Sequence, residues 1–251
     1  RDDIEAVAWP ELGTISYDHD ALTTHIDKIL TCIDTTVIKN TPLKVLIDAN
    51  NGTGALANPI LLDKLGVQYK MMNPEPHGRF SHDPEPLKQN LAGIITELEQ
   101  GDYDIGFVQD ADADRLVILD ETGQFIGEDN SLAYCVDHIL GHEEKDVGHK
   151  QVVVNLSTSN VINFMAKKYD ATLYQTKIGE PNVTAKLKEI AATVGGEGNG
   201  GVIYPKIGWG RDSLVGIVIA LKHLAMSKKK VSEVVATYPK YVMIPDCRYA
   251  L

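Results

Sequence analysis

Cysteine is scarce in this chain: Cys32, Cys135 and Cys247 are odd in number and far apart. Such spacing supplies neither a zinc site nor a disulfide framework, and it suits a reducing compartment. Positive charge is also short. With 24 Lys and Arg against 35 Asp and Glu the formal net charge is -11, a balance that repels phosphate backbones. The one basic run, Lys228 to Lys230, reads as a solvated helix end, so no nucleic-acid partner is expected. No apolar run is long enough to span a bilayer and no signal peptide is found; no membrane partner is expected, and a cytoplasmic location is.

What is present is apolar content of 43% over 251 residues, enough for a substantial core and of a length at which chains begin to divide into two domains. Residues 20–37 carry a helical stripe (Leu22, Ile26, Ile29, Leu30, Ile33, Val37), and "PLKVLID" then reads as a short buried strand. The alternation continues with a helix ending at "LDKLG", a strand in "VQYKMM", a helix in "LKQNLAGIITELEQG" and the strand "IGFVQ". A hairpin, "RLVILDETGQFI", turns at Thr122-Gly123 and is followed by a helix to Leu140. The polar, glycine-bounded segment 141–150 predicts a boundary. A second alternating run has strands in "VVVNL", "TLYQT" and "VIY" and helices in "VINFMAKKY", "VTAKLKEIAATV" and "SLVGIVIALKHLA", with a glycine-rich loop before "VIY". The last helix is apolar on almost every side and should be deeply buried. The fold class expected is α/β: two similar domains with mixed, mostly parallel sheets covered by helices.

The densest chemical signal is "QDADADR", residues 109–115, which sets three carboxylates at alternate positions directly after a strand. In open α/β sheets that edge is where ligands bind. Three oxygen donors without nitrogen or sulfur favour a hard cation, Mg²⁺ or Ca²⁺; a solvated turn with its charges facing water is the weaker reading. An EF-hand register places Asp110, Asp112, Asp114 and Glu121 at ligand positions, yet Arg115 stands where glycine is needed and the flanks read as strands. A haloacid-dehalogenase-type site would want Thr or Val in place of Asp114. Arg115 beside a metal could hold an anionic oxygen with its planar fork, which suggests phosphate.

"GGEGNGG", residues 195–201, is the second signal. Its side chains, Glu197 and Asn199, suit hydroxyls better than phosphate and so fit a polyol such as a sugar, while a mobile glycine turn remains open. Gly52-Thr53-Gly54-Ala55-Leu56-Ala57 satisfies G-x-G-x-x-G/A with Glu75 about twenty residues on, as a nicotinamide-binding fold requires. Asn58-Pro59 should delay the helix start there, and a glycine turn packing a helix on a sheet is preferred. His77, His82, His138, His142 and His149 match no metal spacing and read as surface histidines. Asp212 or Ser213 should cap the buried helix, and Arg211 is a phosphate candidate.

Together and in this order, "DADADR" and "GEGNGG" resemble the α-D-phosphohexomutases, the family of phosphoglucomutase, phosphomannomutase and phosphoglucosamine mutase; "DPEPL" and "TKIGEPNV" are similar too. The resemblance implies four domains around one cleft, with a phosphoserine on the first, an Mg²⁺ loop on the second, a sugar loop on the third and a phosphate loop on the fourth. It makes Asp110, Asp112 and Asp114 the Mg²⁺ ligands, Arg115 the catalytic phosphate contact, and Glu197, Asn199, Gly179 and Arg211 the substrate-binding set. Asn199 stands where many members have serine and Gly201 where many have histidine, so the resemblance leans to the phosphoglucosamine-mutase branch. Residues 1–18 would be the tail of a first domain, 19–145 the metal domain, and 146–251 the sugar domain with the start of a linker. No T-x-S-H-N-P-like or R-x-S-G-T-like loop is found, so the partners expected are a hexose phosphate and missing first and fourth domains. The fragment is expected to be inactive alone. An NAD-dependent dehydrogenase and a calcium-binding module are the alternatives.

Overall fold

A computed structural model of the chain describes residues 7–241. Part of the expected first-domain tail, most of the expected linker and Cys247 lie outside the described residues. Helix α1 (Ala21–Cys32) buries Ile26 and Ile29, and α2 (Thr36–Lys39) follows separately. The single helix expected over 20–37 is broken because Ile33 turns extended and Asp34 accepts hydrogen bonds from the Thr36 amide (3.0 Å) and hydroxyl (2.7 Å), which start a new turn.

Strand β1 (Lys44–Asp48), α3 (Gly54–Leu65) and β2 (Gln68–Met72) form a parallel unit, with Gly66 at φ 67° closing the helix. Helix α3 begins at Gly54 with Pro59 inside it, contrary to the delayed start expected. Pro59 is the sixth residue of α3, past the first turn, so the helix forms at the cost of the hydrogen bond that its N–H would have made to the Ala55 carbonyl. After α4 (Ala92–Gln100), β3 (Ile105–Gln109) pairs parallel with β1, and β4 (Leu116–Leu119) returns antiparallel to it. Helix α5 (Glu128–His138) runs on into a π turn, Ile139–Glu143, so the start of the polar segment is helical.

The second unit repeats this plan with β5 (Gln151–Asn155), α6 (Val161–Lys168), β6 (Thr172–Thr176), α7 (Glu180–Glu189), β7 (Val194–Glu197) and β8 (Gly201–Ile203). Helices α8 (Ser213–Ser227) and α9 (Val231–Val235) complete it. The strand orders are β2-β1-β3-β4 and β6-β5-β7-β8, each with its last strand antiparallel. Even the register matches: Val45 pairs with Ile105 and Gly106 with Leu119, as Val152 pairs with Val194 and Gly195 with Ile203.

The glycine-rich segment is mostly strand, which corrects the loop expected there. A Cβ on Gly195 would lie 2.7 Å from the Val153 carbonyl oxygen, and one on Gly196 2.4 Å from that of Gly201 and 2.5 Å from a Leu132 methyl. These glycines serve close packing in a central strand.

One apolar cluster joins the facing sides of both sheets through Ile47, Phe107 and Ile118 of the first and Val152, Val154 and Val202 of the second, with α3, α5, α6 and α8 between them. The outer faces are closed by α4, over Leu46, Val108 and Val117, and by α7, over Val153 and Ile203. As expected, α8 is buried from Ser213 to Ala225. Among the described residues no helix is long and apolar enough to cross a membrane.

A shared core predicts one cooperative transition. Leu132→Ala, at a fully buried α5 position against Gly196, should lower stability by about 2–5 kcal/mol. In urea melts followed by far-ultraviolet circular dichroism and by tryptophan fluorescence, the two curves should shift together; separate transitions would contradict a common core.

Candidate functional site

The β3–β4 loop and the β7–β8 turn occupy equivalent places in the two units, and they touch: the Leu116 amide donates to the Gly200 carbonyl at 3.3 Å. In the first loop Ala113 sits in the left-handed region (φ 58°), at a cost of about 1–2 kcal/mol. Buried Asp110 organises the loop by accepting the amides of Asp114 (3.2 Å) and Arg115 (3.1 Å) and the Arg115 Nε. The result is convergence, with carboxylate oxygens of Asp110, Asp112 and Asp114 all within 4.8 Å of one another.

Support comes from beneath. Asn58 Nδ2 donates to Gln109 Oε1 (2.7 Å), Gln109 Nε2 to Ser213 Oγ (2.7 Å), and Ser213 Oγ to the Ala113 carbonyl (2.5 Å). Asp212 caps α8 by accepting the amides of Leu214 and Val215, and its other oxygen holds His25 Nε2 at 2.7 Å. That hydrogen bond raises the His25 pKa.

Arg211 ties the two units together. Its Nη2 meets Asp114 Oδ2, its Nη1 donates to Glu197 Oε2 at 2.6 Å, and its Nε lies 3.3 Å from Glu180 Oε2. Glu197, only 4% exposed, also accepts Asn155 Nδ2 on Oε1 at 2.7 Å. Asp114 shows what the site is short of. Burial, then the nearby Asp110 carboxylate, push its pKa up to about 6 against the opposing pull of Arg211, and its Oδ1 is buried with no hydrogen-bond partner. An all-oxygen trio with one orphaned acceptor fits a hard divalent cation. A cleft of about 360 Å³ opens beside it, lined by Asp112, Asp114, Arg211, His25 and Thr53.

The residues singled out in the sequence gather here: the three aspartates, Arg115 with its Nη1 3.6 Å from Glu85, Glu197 and Arg211. Gly179, at φ 114°, precedes Glu180 at the start of α7 and so delivers a carboxylate to Arg211. Asn199 lies in the β7–β8 turn, where its Oδ1 accepts the Gly201 amide at 3.3 Å. The sequence does not single out Glu180 or Asn155, and Ser213, a cap candidate there, instead holds the acidic loop while Asp212 caps α8; Asn155 ends β5 as Asp48 ends β1, a signal visible only once the repeat is recognised. The nicotinamide reading fails on space. A Cβ on Gly52 would fall 2.5 Å from the Ala111 carbonyl, so the acidic loop fills the turn that a pyrophosphate would need. Glu121 is bonded to Ser232 and stands apart from the aspartate trio, which removes the EF-hand arrangement. The histidines also need correction: His138 is fully buried, and His82 is half-buried 3.4 Å from Asp48.

The family model for phosphoglucomutase/phosphomannomutase alpha/beta/alpha domain II matches residues 23–123, and that for domain III matches residues 127–241. The chain belongs to the phosphoglucomutase/phosphomannomutase family. The family boundary between domains II and III thus falls before α5. A phosphoglucomutase/phosphomannomutase of Thermococcus kodakarensis is 34% identical over 99% of this chain and 54% of its own length. A probable phosphoglucosamine mutase of Methanopyrus kandleri is 32% identical over 97% of this chain and 53% of its own. The chain therefore spans about half the length of these relatives. A solved phosphoglucomutase/phosphomannomutase family protein from Burkholderia thailandensis superposes with a TM-score of 0.77 at 26% identity, covering 88% of this chain and 47% of that one.

Removing Arg211 would strand the largely buried carboxylates Asp114 and Glu197. Arg211→Ala should cost about 3–5 kcal/mol in denaturant unfolding, and Arg211→Lys, whose compact ammonium cannot reach three carboxylates at once, should recover little of it. Full recovery by lysine would show that charge alone matters.

Proposed function

We propose that this chain supplies the metal-binding and sugar-recognition parts of a cytoplasmic phosphohexomutase that interconverts hexose 6-phosphate and hexose 1-phosphate through a phosphoserine and a 1,6-bisphosphate. The observation that carries this reading is the bridge from the aspartate trio through Arg211 to Glu197, which puts a cation-binding loop and a hydroxyl-accepting carboxylate at one site. Asp110, Asp112 and Asp114 hold Mg²⁺, with the unpartnered Asp114 Oδ1 as a donor already in place. Bound there, Mg²⁺ supplies charge neutralisation to the transferring phosphoryl group.

The chain's own groups position the rest. Arg115, fixed against Asp110, presents its fork beside the metal loop to phosphate oxygens. Glu197 keeps one oxygen on Asn155 and one on Arg211, and each retains a lone pair for a sugar hydroxyl. The Asn199 amide nitrogen adds a donor, and Gly179, at φ 114°, admits the turn that starts α7 at Glu180. A grip made of hydroxyl contacts accepts a hexose bisphosphate in either orientation, as a mutase requires. Phosphoserine and distal phosphate recognition come from other domains of the longer enzyme, and the similarity to named phosphoglucosamine mutases supports an amino-sugar phosphate as the substrate.

Two measurements test this. Mn²⁺ binding to the 251-residue chain should weaken more than about tenfold in Asp112→Ala. It should also weaken by up to about tenfold per pH unit below about 6, because an ion must displace the proton that Asp114 retains there, and level off above. Unchanged Mn²⁺ affinity in the variant would overturn the metal assignment. In the complete enzyme, Glu197→Ala should raise KM for glucosamine, mannose or glucose phosphate more than it lowers kcat, and the glucosamine ester should be preferred; the 251-residue chain alone should show no turnover, and detectable mutase activity from it would refute the division of labour.

A further inference from the structure

A second cluster of ligating side chains lies well away from the acidic loop. His138 is the last residue of α5 and His223 the eleventh of α8; both helices start beside the loop cluster and pack together, which puts the two imidazoles about 15 Å along them. Their Nδ1 atoms face each other at 3.2 Å, and His142, on the exposed side of the π turn, completes a group with one nitrogen from each ring within 4.8 Å. We infer that His138, His142 and His223 form a binding site for a borderline divalent transition-metal ion of the zinc type, clasping the end of α5 to α8.

The hydrogen bonding carries the inference. His138 Nε2 is 3.1 Å from Glu143 Oε1, a contact that the five-residue spacing of the π turn creates. The carboxylate takes the Nε2–H and leaves His138 Nδ1 as a lone pair aimed at His223. Without an ion, His223 must direct its own Nδ1–H there, and its Nε2 becomes a bare lone pair. That atom is buried without a hydrogen-bond partner, 3.8 Å from Asp137 Oδ2, so lone pair faces anion. A metal ion between the two Nδ1 atoms resolves the mismatch. His223 shifts its proton from Nδ1 to Nε2, no net proton is lost, and the new N–H points to Asp137.

Both buried ligands then have the carboxylate–histidine–metal arrangement that orients ligating imidazoles. The spacing agrees: two nitrogens bound to a tetrahedral ion at 2.0–2.1 Å lie about 3.3 Å apart. Burial lowers His138 and His223 below the ordinary imidazole range, which keeps both as neutral ligands. The nearby cations are already engaged, Lys222 by Glu143 at 2.6 Å and Lys168 by Asp137 at 2.6 Å. His142, being exposed, can swing from its present position to close the set. Three imidazoles select a borderline ion over the hard cation suited to the aspartates.

Co²⁺ is the probe, because its visible spectrum separates a tetrahedral nitrogen site from an octahedral oxygen site. The metal-free 251-residue chain should bind Co²⁺ with an intense tetrahedral band that persists in Asp112→Ala and weakens at least about tenfold in His142→Ala, an exposed change that leaves the core intact. Zn²⁺ should raise the melting temperature of the parent chain but not of His142→Ala. Only a weak octahedral spectrum, or a band lost in Asp112→Ala and kept in His142→Ala, would overturn the site while leaving the mutase reading untouched.

Discussion

The guanidinium of Arg211 is the contact on which the arrangement of the site depends. It answers carboxylates from three elements, Asp114 in the first unit and Glu180 and Glu197 in the second. A planar fork with several fixed donors can do this, whereas a point charge cannot. Because each of those acids is partly or wholly buried, the guanidinium and its partners stand or fall together. Even so, Asp114 keeps one oxygen without a hydrogen bond, with the Arg115 Nε 3.8 Å away, so the cluster is left with one unsatisfied acceptor. That unsatisfied oxygen distinguishes the cluster from a closed salt-bridge network.

The second organising fact is repetition. Two four-stranded sheets with the same order and register bring two hairpin loops to one edge, one acidic and one rich in glycine. The same backbone answer thus presents two different sets of side chains, a trio of converging aspartates and the buried carboxylate of Glu197. Fold and site are separable in this sense: the sheets fix where the loops lie, and a few side chains decide what they do.

Most of the strands were legible because buried parallel strands read as short apolar runs between turn residues, as in "KVLID" and "IGFVQ". The acidic loop was legible because like charges so crowded demand an explanation. What escaped was decided by tertiary packing. Gly195 and Gly196 look like loop residues, and only the neighbouring Val153 carbonyl and Leu132 show why a strand needs them. His138 and His223 are 85 residues apart in sequence, so no local spacing could pair them. The break after α1 turns on one side chain, Asp34, outcompeting a helix that the apolar stripe alone would have continued.

Helix α8 lies against both sheets, with Gly216 set so closely on Leu116 that an added Cβ would come within 2.9 Å of its side chain. Those partners are separated by 100 residues of chain. On a ribosome adding about 5–20 residues per second, the inner face of the first sheet must wait about 5–20 s for the segment that covers it. During that interval Leu116, Ile118 and Phe107 lack their final neighbours. The nascent chain therefore passes through a stage with a half-finished hydrophobic surface, the kind of species that is prone to aggregation.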